Sequence, residues 1–207
     1  MAKVRFAIIA SILAVACSLV GCSEQDEVGE YDNWKARNEH YIDSIASLAR
    51  ANTDGTWTMI RAYNTGDSLD FSADNRYYIY VQKLADGTGT LRPQYNDSVR
   101  VHYEGRLIPS LEHPQGYQFG KSFNGTQLDA SSDVPALLGV SGNVTGFATA
   151  LMHMHVGDHW RVIIPYYLGY NTNTNSSGSI PAYSTLIFDM QLARIYRYKK
   201  DTDTRWW

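Results

Sequence analysis

Thiols are nearly absent from this sequence. Its 207 residues contain two cysteines, Cys17 and Cys22, both within the first 22 positions. From Ser23 onward there is none, which excludes a disulfide framework, a thiolate nucleophile and a cysteine-held metal from that part. Positive charge is not in surplus either: 18 basic against 21 acidic side chains leave a formal net charge of −3. No basic patch stands out, so no nucleic acid is expected as a partner. After residue 22 no run is apolar enough to span a bilayer. The Gly-x-Ser-x-Gly elbow, the Walker loop and the dinucleotide fingerprint are all missing, which removes support for covalent or nucleotide-dependent chemistry. No cofactor is expected.

What is present begins with a targeting pattern. Lys3 and Arg5 precede an apolar run from Phe6 to Val20, too short to span a bilayer comfortably, which is the layout of a secretory signal. The run ends in Leu19-Val20-Gly21-Cys22, which resembles the bacterial lipobox, so residues 1–22 are expected to be removed as a signal with Cys22 lipidated. A simple signal with an incidental cysteine is the alternative. The expected location is the bacterial cell envelope, lipid-anchored on the periplasmic or surface side of the outer membrane. Removing 22 of 207 residues leaves 185, enough for one domain with an appendage and a packed core.

Residues 23–30, SEQDEVGE, suit a solvated tether. Residues 31–75 form an N-terminal extension. Its first part, 31–50, is predicted as a helix capped by Asp32, with Trp34, Tyr41, Ile45 and Leu48 on one narrow stripe. The rest is mixed around a possible strand at 56–63. From Arg76 to residue 198 short strands and turns dominate, with candidates at 76–84, 98–107, 160–165 and 184–196. One helix interrupts them at about 144–155, where Val144, Phe147, Ala148 and Leu151 share a face. Residues 199–207 form a tail. Strands in a run with one packed helix indicate an α+β fold. NTNTNSSGS, 171–179, reads as a mobile loop.

Histidines gather in MHMHVGDHW, with His153, His155, Asp158 and His159 in seven positions. In the last turn of a helix 153 and 155 would point about 200° apart, so a shared metal is not expected. Solvated imidazoles are the expectation there, and for His40, His102 and His113. The aromatic residues lead further. In VRVHYEGRL, 99–107, Val99, Val101, Tyr103 and Leu107 share one side of a strand with Gly105, and Arg100, His102, Glu104 and Arg106 share the other. A tyrosine on the apolar side needs a partner for its hydroxyl, which is expected if that side also looks into a ligand pocket.

Together, VRVHYEGRL, KSFNGT, LLGVSGNVTGF, ALMHMHVGDHWRVIIPYYLGY and IPAYSTLIFDMQLARI resemble the FKBP-type peptidyl-prolyl cis-trans isomerases. That family runs through V-x-V-H-Y-x-G-x-L, F-D-S-S, V-I-x-G-W, a Y-G pair and I-P-x-x-(S/A)-T-L-x-F-D-V-x-L in this order, and the likeness covers about 76–196. It implies a twisted antiparallel sheet wrapped on one short helix. It implies an aromatic pocket of Tyr103, Phe123, Asn124, Phe147, Tyr170 and Phe188 as catalytic residues, with Val144 and Ile180 binding substrate. The Val144 backbone N–H would hold a substrate carbonyl, and Phe147 takes the place of a floor tryptophan. Tyr103 would point its hydroxyl towards Asn124 or substrate.

Four departures from the family accompany the likeness. Asn124 stands where the family's pocket aspartate would be, removing the carboxylate that members offer to macrolide inhibitors. Residues 106–121 carry an insertion. Residues 126–136 are long, making Asp129 a substitute candidate for the carboxylate. Asn171 replaces the glycine after Tyr170. The implied activity is prolyl isomerisation that assists folding of secreted or envelope proteins, with proline-containing segments of client proteins as partners. A catalytically weak peptide-binding module on the same scaffold is the alternative. The 31–50 helix could pair two copies or pack on its own domain.

Overall fold

The structure, a computed structural model, describes residues 29–66, 74–129, 131–197 and 205–206. The expected signal with Cys22, nearly all of the tether and most of the tail lie outside these. The chain divides into two units, up to Asp32 and from Asn33 onward. In the first, Asp32 N donates to Gly29 O at 3.0 Å and Gly29 N to Asp32 Oδ2 at 2.8 Å, closing a turn. Asp32 is therefore not the predicted helix cap. The residue in that position is Asn33, left-handed at φ 53°, and it makes no side-chain capping bond.

The second unit opens with helix α1, Trp34–Ala51. Strand β1, Trp57–Arg61, leads through a 3-10 turn at Asn75–Tyr77 to β2, Tyr78–Ala85, and β3, Ser98–Arg106. Then come β4, Gln118–Lys121, β5, Ala136–Gly139, and helix α2, Thr145–His153. Strand β6, His159–Ile164, is followed by a 3-10 turn at Tyr166–Leu168, β7, Leu186–Arg197, and β8, Arg205–Trp206. Every strand pair is antiparallel in one sheet ordered β1-β2-β6-β7-β3-β4, with β5 also on β3 and β8 on β7. β5 takes the first half of the β3 edge, at 98–101, and β4 takes 104–106.

This is the α+β arrangement expected: a sheet around one short helix, preceded by another helix. The four predicted strands from 76 onward are present within two residues at each end. β4 falls in the segment 106–121 read as an insertion, and β5 begins at the end of the long segment 126–136. Each is four residues long and lacks a fully buried residue, too short for a two-residue period to stand out in the sequence.

The two helices cover opposite faces of the sheet. Register places Val81 beside Val162 and Val162 beside Phe188, and these cluster with Phe147 and Leu151 of α2 in the main core. One residue along, Tyr80 pairs with Ile163, and both cluster with Ile42, Ala46 and Ala49 of α1. Burying each large aliphatic contributes about 1.5–3 kcal/mol. Gly146 allows α2 to sit close, because a Cβ there would lie 2.2 Å from Ile164 Cγ2.

The buried stripe of α1 is Trp34, Asn38, Ile42, Ala46 and Ala49, rotated from the predicted one. Leu48 is exposed, while Tyr41 and Ile45 flank the contact. Small alanines let the helix approach the sheet. Asn38 is tolerated at zero exposure because its amide is bonded on both sides: Oδ1 accepts Thr185 N at 2.7 Å and Nδ2 donates to Trp34 O at 2.8 Å. Trp34 Nε1 donates to Ser184 Oγ at 2.9 Å. The helix packs on the sheet of its own domain.

Candidate active site

On the sheet face that holds α2, near that helix's N-terminal end, lies a cavity of about 360 Å³. Strand β3 brings Tyr103 to it, β7 brings Phe188, and α2 brings Phe147 with Val144 just before its first turn. Tyr170, Asn175 and Ile180 close it from the loop between β6 and β7. Phe119 and Gly120 of β4 complete the wall. Six of the eight predicted pocket residues therefore converge: Tyr103, Val144, Phe147, Tyr170, Ile180 and Phe188.

The rings meet edge to face. Phe147 and Phe188 have centroids 4.9 Å apart, Phe119 and Phe188 5.4 Å, and Tyr103 lies 6.2 Å from both Phe147 and Phe188. Aromatic pairs favour this geometry because the positive edge of one ring meets the negative face of the next. Gly105 makes room for it. A Cβ there would lie 2.4 Å from Phe119 and 2.8 Å from Phe188, which accounts for a glycine on the apolar side of VRVHYEGRL. Among the described residues no charged side chain lines the cavity.

Phe123 and Asn124 do not belong to the site. Phe123 is 9% exposed but sits outside the cavity, with Lys121 Nζ 5.2 Å from its ring centroid. Asn124 is exposed, and its backbone N–H donates to Asp133 Oδ1 at 3.2 Å. Asp129 is no substitute either, since its Oδ1 accepts Ser131 N and Ser131 Oγ. The Phe-x-x-Ser segment that reaches the cavity is Phe119-Gly120-Lys121-Ser122. Ser122 locks it to β3, with Tyr103 N donating to Ser122 Oγ and Ser122 N donating to Tyr103 O, both at 2.9 Å. Phe123-Asn124 imitates Phe-Asp because asparagine matches aspartate in shape. The residue that follows Phe119 in the cavity lining is Gly120, which carries no side chain. The signal for Phe119-Gly120 was a bulky–small pair facing Gly105 across the ladder, visible only once β4 is placed.

Two consequences follow for hydrogen bonding. The Tyr103 hydroxyl has no partner among the described residues and is free for a ligand, though not towards Asn124. The Val144 backbone N–H likewise precedes the helix with no described acceptor, as expected for a first-turn donor. The loop 170–180 is a hydrogen-bonded element. Asn175 Oδ1 accepts Ile180 N at 2.9 Å, and Asn175 Nδ2 donates to Ser177 Oγ and Ser179 Oγ. Asn171 is left-handed at φ 59°, which explains its exchange for glycine, because asparagine tolerates that conformation best among residues with side chains.

A larger cavity of about 600 Å³ lies between α1 and the 3-10 turns, and its polar groups are engaged with one another. Arg76 pairs with Asp74 at 2.6 Å, and Tyr166 Oη donates to Glu39 at 3.0 Å. The smaller cavity is the better candidate because aromatic rings and open hydrogen-bonding groups converge there.

His40 is exposed as expected, but other histidines differ. His102 is 5% exposed, not solvated, and its Nδ1 is buried without a partner among the described residues. Burial holds its imidazole below the ordinary range, with Asp133 acting in the other direction. Around the end of α2 the imidazoles are half-buried and bonded: His153 Nδ1 to Thr149 O, His155 Nε2 to Arg92 Nε, and His159 to Asp189. Among the described residues no three potential ligands gather as a metal site.

Residues 89–193 match the family model described as FKBP-type peptidyl-prolyl cis-trans isomerase. The "Macrophage infectivity potentiator" of Trypanosoma cruzi is 35% identical over 119 residues, 56% of this chain and 53% of that protein. The "FKBP-type 22 kDa peptidyl-prolyl cis-trans isomerase" of Escherichia coli (strain K12) is 36% identical over 114 residues, 54% and 47% respectively. The chain thus spans about half the length of these relatives. A crystal structure of a peptidyl-prolyl cis-trans isomerase from Pseudomonas syringae pv. tomato str. DC3000 shares the fold. Its TM-score is 0.50 at 23% identity, covering 76% of this chain and 95% of that one.

Proposed function

Because the chain belongs to the FKBP-type peptidyl-prolyl cis-trans isomerase family, we propose that it isomerises X-Pro bonds in client proteins, using the cavity around Phe147 and Phe188. The observation that carries this is four rings, Tyr103, Phe119, Phe147 and Phe188, meeting edge to face around a hollow with no charged lining among the described residues. Rotation about the X-Pro amide gives up resonance against an uncatalysed barrier of about 20 kcal/mol. No intermediate forms, so no strong acid or base is required. The planar amide is more dipolar than the twisted one, and an apolar cavity solvates the planar form poorly, lowering the relative cost of twisting. The Val144 N–H and the Tyr103 hydroxyl are the groups that would hold the flanking carbonyls. Each tenfold in rate requires about 1.4 kcal/mol, within reach of such a site.

A second reading, peptide binding with little catalysis, is favoured by one observation. Gly120 removes the carboxylate that the family places beside the tyrosine hydroxyl. A protease-coupled assay on an Ala-Leu-Pro-Phe peptide separates the two. Acceleration above background, reduced in Phe147→Ala, supports the enzyme. Peptide binding without acceleration supports the binding module.

The client role extends this reading: folding of secreted or envelope proteins, with Cys22 lipidated and the domain tethered to the cell envelope. Mass spectrometry of the membrane fraction, comparing wild type with Cys22→Ser, tests the anchor. For assembly, the apolar side of α1 is occupied by its own sheet, which supports a monomer over a homodimer joined through that helix. Light scattering distinguishes them.

A further inference from the structure

Beside the cavity the sheet has an open edge. Strand β5 pairs with β3 on one side, and among the described residues no strand pairs with it on the other. Val140 N donates to Asp97 O at 3.0 Å, and the same register sets Leu138 against Val99 and Ala136 against Val101. In an antiparallel ladder the backbone groups of successive residues point to opposite sides. Ala136 and Leu138 therefore direct their N–H and C=O at β3, whereas Leu137 and Gly139 direct theirs outward. Both outward-facing residues are exposed, Leu137 at 56%.

This open stretch is bounded at both ends. Pro135 has no N–H to offer, and its C=O accepts Arg100 Nη1 at 3.1 Å. At the other end Gly139 O accepts Asn143 Nδ2 at 2.7 Å. What remains is the N–H and C=O of Leu137 and the N–H of Gly139, with no partner among the described residues. An antiparallel chain of about three residues matches them: one residue exchanges both bonds with Leu137, and the residue two away accepts from Gly139. An exposed edge of this kind is a template for one more strand. Its position indicates the occupant. Leu138 of the same strand lines the cavity, as do Gly142, Asn143 and Val144 just beyond it. A chain that places its proline in the cavity meets this edge at the rim.

Resting on the isomerase reading, we infer that the client chain is also held outside the cavity, where a segment flanking its X-Pro bond joins the sheet as a short strand on β5. Its backbone bonds to Leu137 and Gly139, so its sequence is only loosely constrained. The site asks for an extended segment, a free N–H at the residue opposite Leu137, and an apolar side chain there to cover that leucine.

The test follows amide hydrogen exchange of the ¹⁵N-labelled full chain. Ala-Leu-Pro-Phe is the short probe, and two heptapeptides carry Val-Thr-Val added before it or after it. The Leu137 and Gly139 amides are expected to exchange fast in the free chain and to slow on the order of tenfold with at least one heptapeptide. Leu138, already bonded to β3, keeps its slow exchange. That heptapeptide is expected to bind about tenfold more tightly than Ala-Leu-Pro-Phe. N-methylation of its added residues in turn removes the gain only at the residue facing Leu137 O. Leu137→Pro, which deletes the outward N–H and spares the β3 ladder, reduces the same gain. Leu137 and Gly139 amides already slow in the free chain, or left unprotected by both heptapeptides, would overturn the strand site. If the X-Pro bond of Ala-Leu-Pro-Phe is nevertheless accelerated, the isomerase reading stands without it. Protection of the two amides with no acceleration of any peptide supports the strand site and overturns the isomerase reading.

Discussion

Phe119 and Phe123 stand four residues apart in one segment, and their surroundings assign them opposite roles. Phe119 meets Phe188 in the cavity wall, whereas Phe123 is buried beneath Lys121 outside it. Phe119→Ala is expected to lower kcat/KM on the order of tenfold in the protease-coupled assay. Phe123→Ala is expected to cost about 3 kcal/mol in urea unfolding while leaving kcat/KM near wild type. The Tyr103 hydroxyl, having no partner among the described residues, makes a complementary case. Tyr103→Phe should leave stability within about 0.5 kcal/mol and still reduce kcat/KM, because the lost bond is one to substrate. At Gly120 a Cβ would meet Tyr103 Cε2 at 3.7 Å and Oη at 3.9 Å, ordinary contacts that leave space for a longer side chain. Gly120→Asp is therefore expected to fold and to gain macrolide affinity, read by fluorescence titration. An unchanged affinity would detach that position from the F-D register.

Among the elements, the β6–β7 loop and α1 show how polar side chains set structure that hydrophobic patterning does not reveal. Asn175 fixes Ile180, a cavity wall at 2% exposure, through the bond to its N–H. Asn175→Ala is expected to raise KM more than it lowers kcat, since it loosens a binding wall and not a reacting group. Asn38→Ala would leave the Thr185 N–H buried and unpaired, a loss of about 1–3 kcal/mol. Strands β3 and β7 were legible because alternation over nine and twelve residues records which side is buried. β4 and β5 were not, being short and half-buried, and the pocket register slipped with them, so that Phe123-Asn124 took the place of Phe119-Gly120. The stripe of α1 was misplaced for a related reason: Ala46, Ala49 and Asn38 mark close approach and hydrogen bonding, and a search for large apolar residues passes over them. Tyr103, Phe147 and Phe188 were found because large rings on long regular elements are where pattern and packing agree.

For the whole molecule, the buried imidazole of His102 links folding to pH. Burial depresses its folded value, and the unfolded chain titrates near the ordinary histidine value of about 6.5. The unfolded state thus binds the proton more readily, so stability is complete above that value, falls as pH drops through it, and levels off below the depressed folded value. His102→Gln is expected to flatten this part of the urea-midpoint profile against pH, whereas an unchanged slope would assign it to other groups. The proposed isomerisation depends on the ring-lined cavity favouring the twisted X-Pro amide. Cis–trans exchange of an Ala-Leu-Pro-Phe peptide, followed by NMR with wild type and Phe147→Ala at equal concentration, addresses this most directly. Wild type should accelerate exchange and Phe147→Ala should lose most of that acceleration. Peptide that binds wild type yet exchanges at the uncatalysed rate would contradict the account.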